Sequence, residues 1–400
     1  MQLEERYGAH NYHPLPIVIA RGDGVWVYDP EGRRYMDCLA AYSALNQGYN
    51  NPRILQAARE QLETGVTLTS RAFYNARLGE FLHKITSLTG MERALPMCTG
   101  AEAVETAIKM ARKYGYRRRG IPDGRAEIIA FEGNFHGRTT TIVGFSTEEQ
   151  YQDGFGPFTP GFRVVPYGDL DAFAAAVTDH TCGVLIEPIQ GEGGIILPPP
   201  GYLEGVQKIC IDRKILFMAD EIQSGLGRTG KLLACHHENV CPDVVILAKA
   251  LTGGMYPLSV VLAAEEVMSV FEPGDHGSTY GGAPYGAAVA IAALDALIED
   301  GLVDRAAELG PYLMDALREI DSPHVREIRG RGLWVGIEIR PESGSARPFC
   351  EKLLELGILC KETHESVIRI APPLVISKEE LDWMIERFRQ VLRDPDIGKA

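Results

Sequence analysis

The chain has 400 residues, 45% hydrophobic and 24% charged, enough for two or three packed domains and ordinary for an ordered globular protein. Its formal net charge of -14 argues against a nucleic-acid or anionic-membrane partner, because phosphate binding is driven by clustered Lys and Arg. No stretch approaches the roughly 20 apolar residues of a membrane span, and MQLEERYGAH carries neither an apolar signal core nor an Arg- and Ser-rich arm, so a cytoplasmic protein is expected.

Val25-Trp26-Val27-Tyr28, the turn residues Asp29-Pro30-Glu31-Gly32 and the run Arg33 to Asp37 read as a short hairpin. Helical patterns follow at about 53–64 and 75–89. Thr99-Gly100-Ala101-Glu102-Ala103 then opens a helix whose apolar positions Val104, Ala107, Ile108 and Ala111 recur at helical spacing. Its first turn exposes backbone N–H groups, which suit either an anion or an ordinary cap. The basic run Arg117-Arg118-Arg119 falls where it complements the helix dipole.

Between residues 100 and 290, short Ile- and Val-rich runs (128–131, 183–187, 215–219, 243–247) alternate with helical stretches such as 201–213. This predicts an α/β fold with a mainly parallel sheet covered on both faces. After about residue 300, helical patterns at 302–319 and 378–393 flank short strands near 333–339 and 367–370, which suits a smaller α+β domain. The expected division is 1–48 as an N-terminal segment packing with the small domain, 49–300 as the large domain and 301–400 as the small one.

Eight cysteines without framework spacing imply free thiols in a reducing compartment. Cys235-His236-His237 and Cys241 lack a second ligand pair at a zinc spacing, so no metal is expected. Gly225-Leu226-Gly227-Arg228-Thr229-Gly230 fits G-x-G-x-x-G, but it does not open directly into a helix after its strand, and a dinucleotide reading is rejected.

Open α/β sheets bind ligands at the carboxyl ends of their strands. There the apolar runs end in Glu187, Asp220 and Lys249. A lone lysine at a strand end usually snorkels to solvent. Beside Asp220 the balance reverses, because a Schiff-base lysine and an acid that keeps a pyridine nitrogen protonated are what an electron-sink cofactor requires. His276-Gly277-Ser278-Thr279-Tyr280-Gly281-Gly282 is a second phosphate-type stretch before a helix.

Thr99-Gly100-Ala101-Glu102-Ala103, Asn134-Phe135-His136-Gly137-Arg138, Glu187-Pro188-Ile189-Gln190-Gly191-Glu192, Asp220-Glu221-Ile222-Gln223 and Leu247-Ala248-Lys249-Ala250 together resemble the class III, fold-type I aminotransferases, from Tyr7 to about Leu392. Within that class, the stretches Tyr7 to Pro16, Tyr42 to Gly48, Ser70 to Asn75 and Ile368 to Leu374 are similar to the ornithine aminotransferases. The resemblance implies pyridoxal 5′-phosphate, bound to the large domain and covalently held by Lys249. It implies Asp220 on the pyridine nitrogen, Gln223 on the phenolic oxygen, Phe135 against the ring, and the amides of Gly100 and Ala101 on the phosphate. Ser278 and Thr279 would belong to the same phosphate cup, Thr279 from a neighbouring subunit, so at least a homodimer with shared sites is implied.

For substrates, the resemblance gives Arg138 the carboxylate remote from the reacting carbon. Arg369 takes glutamate's α-carboxylate and is masked by Glu192 when ornithine enters, while Tyr12 and Tyr42 contact ornithine. A bare guanidinium beside the reacting carbon would otherwise favour reaction at the wrong amine. The implied reaction moves ornithine's δ-amino group to 2-oxoglutarate, with acetylornithine, lysine or 4-aminobutyrate as alternative donors. Two departures stand near the implied cup: Cys98 where the family usually has a small polar residue, and Ala283 where it usually has Asn.

Overall fold

The computed structural model describes residues 1–397. Its centre is a seven-stranded sheet in the spatial order Arg93–Met97, Ser259–Ala263, Val244–Leu247, Leu216–Asp220, Thr181–Ile186, Glu127–Phe131 and Phe162–Val165. The five strands from Val244–Leu247 to Phe162–Val165 are parallel, while Ser259–Ala263 runs antiparallel to both of its neighbours. The central strands are buried along their whole length, which explains why they read as continuous apolar runs and not as alternating ones.

Helices cover both faces. Gly100–Arg117 lays Val104, Ala107, Ile108 and Ala111 on one side, and Tyr202–Arg213 lays Leu203, Val206 and Cys210 on the other. The first begins with a capping box: the Thr99 side chain accepts from the Glu102 N–H while the Glu102 carboxylate accepts from the Thr99 N–H. At its far end Arg119 donates to the carbonyls of Thr181 and Arg213, a structural use of the basic run.

Beyond residue 300, the helices Leu302–Arg318 and Lys378–Leu392 pack with an antiparallel sheet ordered Val325–Gly330, Val335–Ile339, Val367–Ile370 and Lys361–Thr363. The N-terminal hairpin, Trp26–Tyr28 with Arg34–Asp37, is completed by Ile358–Leu359, which runs parallel to Arg34–Asp37. Residues 222–229 form successive turns and no helix start, so the glycine pattern there serves close packing. Within it Arg228 is fully buried, and it donates to the carbonyls of Leu333 and Pro372 and to Asn46 Oδ1. One guanidinium thus ties the N-terminal segment, the turns that follow Leu216–Asp220 and two loops beside the C-terminal strands at a single point.

All eight cysteines are free thiols, and among the described residues no helix is long and apolar enough to cross a membrane and no group of side chains could hold a metal ion.

Candidate active site

The strand ends converge as the run endings imply. Asp220 closes Leu216–Asp220 and is 4% exposed. Its Oδ1 accepts from the Ile222 N–H at 3.1 Å, and its Oδ2 meets His136 Nδ1 at 2.7 Å. Burial lowers the pKa of that imidazole, but the hydrogen bond and charge of Asp220 outweigh it, so the net shift is upward. His136 therefore backs Asp220 with a proton donor, a role the sequence left unassigned although the Asn-Phe-His-Gly-Arg block contained it. Glu187 is also buried, and it accepts from the Phe135 N–H at 2.9 Å and the Gly191 N–H at 3.3 Å. Burial pushes its carboxyl up to about 7, against the neighbouring His136 charge.

Lys249 follows Val244–Leu247 with φ +48, a left-handed conformation uncommon for a residue with a side chain, and it lies in the wall between two adjoining cavities. The inner cavity, of about 400 Å³, is lined by Gly100, Ala101, Phe135, His136, Asp220, Gln223 and Lys249 among others. The outer one, of about 770 Å³, is lined by Tyr12, Tyr42, Arg138, Tyr151, Glu192, Lys249 and Arg369 among others.

Glu192 and Arg369 meet in the outer cavity. Arg369 Nη1 donates to Glu192 Oε1 at 2.7 Å and Nη2 to Gln223 Oε1 at 2.5 Å, while Gln223 Nε2 donates back to Glu192 Oε1 at 3.2 Å. Burial alone would raise the Glu192 carboxyl, but the Arg369 and Lys249 charges hold it at about 2. Gln223 is thus shared between the inner cavity and the ion pair. Tyr42 stands with its ring 5.4 Å from the Arg369 guanidinium carbon. It is presented by an unusual turn, since Ala40, Ala41, Tyr42 and Ser43 all have positive φ. Asp37 Oδ1 accepts from the Leu39 and Ala40 N–H groups at 2.8 and 3.0 Å and anchors its start. Tyr12 is 70% exposed at the cavity mouth.

Two predicted residues lie apart from these cavities. Ser278 and Thr279 line a separate hollow with Ser70, Arg71 and His276. Ser278 still touches the inner site indirectly, its Oγ lying 3.2 Å from Cys98 Sγ. The departure at Ala283 acts elsewhere: Ala283 is the N-cap of helix Pro284–Glu299 and makes no side-chain cap, so it forgoes about 1 kcal/mol of helix stabilisation without altering the cavity wall.

The model of the family described as Aminotransferase class-III matches residues 7–392. The chain belongs to the class-III aminotransferases. It is 58% identical over 388 residues to an ornithine aminotransferase of Brevibacillus brevis, covering 97% of this chain and 96% of that one. An ornithine aminotransferase of Halalkalibacterium halodurans is 57% identical over 389 residues, covering 97% of each chain. Among solved structures, the ornithine aminotransferase from Toxoplasma gondii superposes with a TM-score of 0.96 at 42% identity, covering 98% of this chain and 92% of that one. An acetylornithine aminotransferase from Elizabethkingia anophelis superposes at 0.89 with 44% identity, covering 98% and 97%.

Pyridoxal 5′-phosphate is the cofactor of this aminotransferase, and the inner cavity suits it. The N–H groups of Gly100 and Ala101, at the start of a long helix, have no acceptor among the described residues and can bind a phosphate. A Cβ on Gly100 would lie 3.0 Å from Ile222 Cδ1, so only glycine leaves that approach uncrowded. Asp220 offers a buried carboxylate to a ring nitrogen, Phe135 an aromatic wall and Lys249 an amine within the same cavity.

Burial lowers the Lys249 amine from 10.5 to about 8, against the attraction of Glu192. In the cofactor-free protein this has a definite sign. Below about pH 8 the lysine is charged in both folded and unfolded chains and costs the folded state about 3 kcal/mol; the cost fades as pH rises from 8 to 10.5, and above that range both forms are neutral. Lys249→Met should therefore raise the melting temperature of cofactor-free protein at pH 7, with the gain shrinking steadily between pH 8 and 10. A gain independent of pH would show that the lysine is not strained by desolvation.

Proposed function

We propose that the chain is an ornithine δ-aminotransferase, converting ornithine and 2-oxoglutarate to glutamate-5-semialdehyde, which cyclises to pyrroline-5-carboxylate, and glutamate. The observation that carries this reading is the unequal state of the two guanidinium groups in the outer cavity. Arg369 is paired to Glu192, whereas Arg138 has no carboxylate partner among the described residues. A site that must react once at a distal amine and once at an α-amine needs one permanent and one conditional carboxylate receptor. A single fixed receptor would favour one substrate in both half-reactions.

Bound pyridoxal phosphate supplies the electron sink that lets an amino-bearing carbon lose a proton. The chain does the rest. Lys249 holds the cofactor and moves the proton at the reacting carbon. Its amine, lowered to about 8, is partly free base near neutral pH and so able to accept one. Asp220, backed by His136, keeps the ring nitrogen protonated, and Phe135 fixes the plane of the ring. Gln223 serves the phenolic oxygen, and its link to Glu192 and Arg369 lets the cofactor end register the state of the pair. Arg138 receives the remote carboxylate of 2-oxoglutarate, and Tyr12 and Tyr42 receive the polar end of ornithine.

The placement of Ser278 and Thr279 apart from the inner and outer cavities, in a separate hollow, supports their service to the phosphate of a second copy, and so a homodimer or larger assembly. Thr279→Ala should weaken cofactor binding by about ten-fold, since a hydrogen bond to a charged group is worth about 1.5 kcal/mol at the low end of its range. Dilution of the native protein to monomer should weaken it further. Full cofactor affinity in a verified monomer would remove the shared-site assignment.

The activity itself is tested by one panel of donors with 2-oxoglutarate: ornithine, acetylornithine, lysine and 4-aminobutyrate, following ring closure of the ornithine product. Ornithine should give the highest kcat/KM. A higher value for acetylornithine would replace this reading with that of the Elizabethkingia neighbour.

A further inference from the structure

We propose that Tyr151 is a positioning residue that sets the site's selectivity for oxo acids bearing a distal carboxylate, by holding Arg138 in its receiving orientation. The inference rests on the assignment of Arg138 as the distal-carboxylate receptor and extends it to a residue that no sequence motif singled out.

A long arginine side chain facing a cavity of about 770 Å³ without an anionic partner would sample several rotamers and lose affinity through that freedom. Here it is not free. The Arg138 guanidinium carbon lies 4.4 Å from the centre of the Tyr151 ring and 5.8 Å from that of Phe135. The two rings meet edge to face, with centroids 6.0 Å apart and planes at 72°. A guanidinium resting on a ring uses its flat face and leaves its in-plane N–H fork available for a carboxylate. A carboxylate partner would instead occupy that fork, as Glu192 occupies one side of Arg369. Both guanidinium groups lie near rings, Arg369 at 5.4 Å from Tyr42 and 5.7 Å from Trp334, but only Arg369 also carries an anion that must be displaced.

Tyr151 is itself held. It sits on the short helix Glu149–Gln152, whose Gln152 Nε2 donates to the carbonyls of Val143 at 3.0 Å and Ser146 at 2.7 Å. The Glu148 N–H donates to Ser146 Oγ at 3.1 Å, and the Glu148 carboxylate meets the His364 imidazole at 3.5 Å across the cavity mouth. Phe135 is fixed from behind by its N–H on Glu187. Burial raises the Tyr151 phenol above its usual value, while the charge of Arg138 pulls the other way, as their close approach requires.

The test compares 2-oxoglutarate with pyruvate, which lacks the distal carboxylate, using the holoenzyme and ornithine as donor. Tyr151→Leu should raise KM for 2-oxoglutarate about five- to ten-fold, leave kcat within about two-fold, and leave kcat/KM for pyruvate and KM for ornithine unchanged. Tyr151→Phe, which keeps the ring, should restore most of the preference. A parallel rise in the dissociation constant of glutarate, a non-reacting dicarboxylate, would tie the effect to binding. Thermal melting checks that Tyr151→Leu folds, and Tyr151→Thr can replace it if it does not. An unchanged KM for 2-oxoglutarate, or equal losses for both oxo acids, would overturn the proposal. If the native enzyme itself shows no preference for 2-oxoglutarate over pyruvate, then the Arg138 assignment fails and the Tyr151 role falls with it. That outcome is distinct from a native preference which survives in Tyr151→Leu.

Discussion

Lys249→Ala is expected to reduce steady-state transamination by on the order of 10⁴-fold or more, since it removes both the covalent hold and the base at the reacting carbon. The loss should not be one of binding alone. Gly100, Ala101, Asp220 and Phe135 still line the inner cavity, so the cofactor should still associate with the variant. Two measurements separate the roles. Borohydride reduction should attach the cofactor to native protein and leave Lys249→Ala unmodified by mass. Added small amines should recover part of the proton transfer without restoring the covalent link to the chain. Near-normal turnover in the variant would remove Lys249 from its assigned place.

Glu192→Ala should alter the balance between the two half-reactions more than it alters the fold. With its carboxyl held at about 2, Glu192 is charged throughout the working pH range, so only a substrate can displace it from Arg369. Its removal leaves the guanidinium open to an α-carboxylate at all times. The glutamate half-reaction should persist or improve, because no pair must be broken first. Ornithine should react more slowly at its distal amine and gain reaction at the α-amine. A charge-assisted hydrogen bond is worth about 1.5–3 kcal/mol, so the ratio of the two half-reactions should shift by about ten- to a hundred-fold. Stopped-flow spectra of the two cofactor states follow each half-reaction separately. Equal losses in both would mean that Glu192 is structural and that Arg369 is not gated.

The chemistry was more legible than the geometry that presents it. Asp220 and Lys249 could be singled out because one ends a buried strand and the other follows two residues after one, and the apolar runs leave a visible boundary in the sequence. The helix after Thr99 was equally plain, because capping box and apolar spacing agree. The pairing of Glu192 with Arg369 joins residues 177 positions apart and has no local signature, so only the resemblance pointed to it. The strand Arg93–Met97 contains Pro96, which suits the sheet edge it occupies but hides it from a pattern reading. Ser259–Ala263, antiparallel within an otherwise parallel neighbourhood, was likewise not distinguished from its surroundings. Tyr151 lies on a helix of four residues, too short to show a period. The turn at Ala40–Ser43 is the clearest case of hidden structure. Four successive left-handed residues without glycine run against local preference by about 1 kcal/mol or more each, so only the surrounding contacts hold Tyr42 where it stands.

The parallel pairing of Arg34–Asp37 with Ile358–Leu359 also governs when the molecule can be completed during synthesis. A ribosome adds roughly 5–20 residues per second, so the hairpin emerges about 15–60 seconds before its partner strand exists. Over that interval its outer edge has open backbone donors and acceptors, and Val27, Met36 and Cys38, all fully buried in the finished protein, lack their cover. The central sheet can form meanwhile, because its strands all lie between residues 93 and 263. The amino-terminal segment, and with it the strained turn that carries Tyr42, is therefore first to be made and among the last to settle. A nascent chain stalled before residue 358 should hold a protected central sheet and an amino-terminal segment open to proteases.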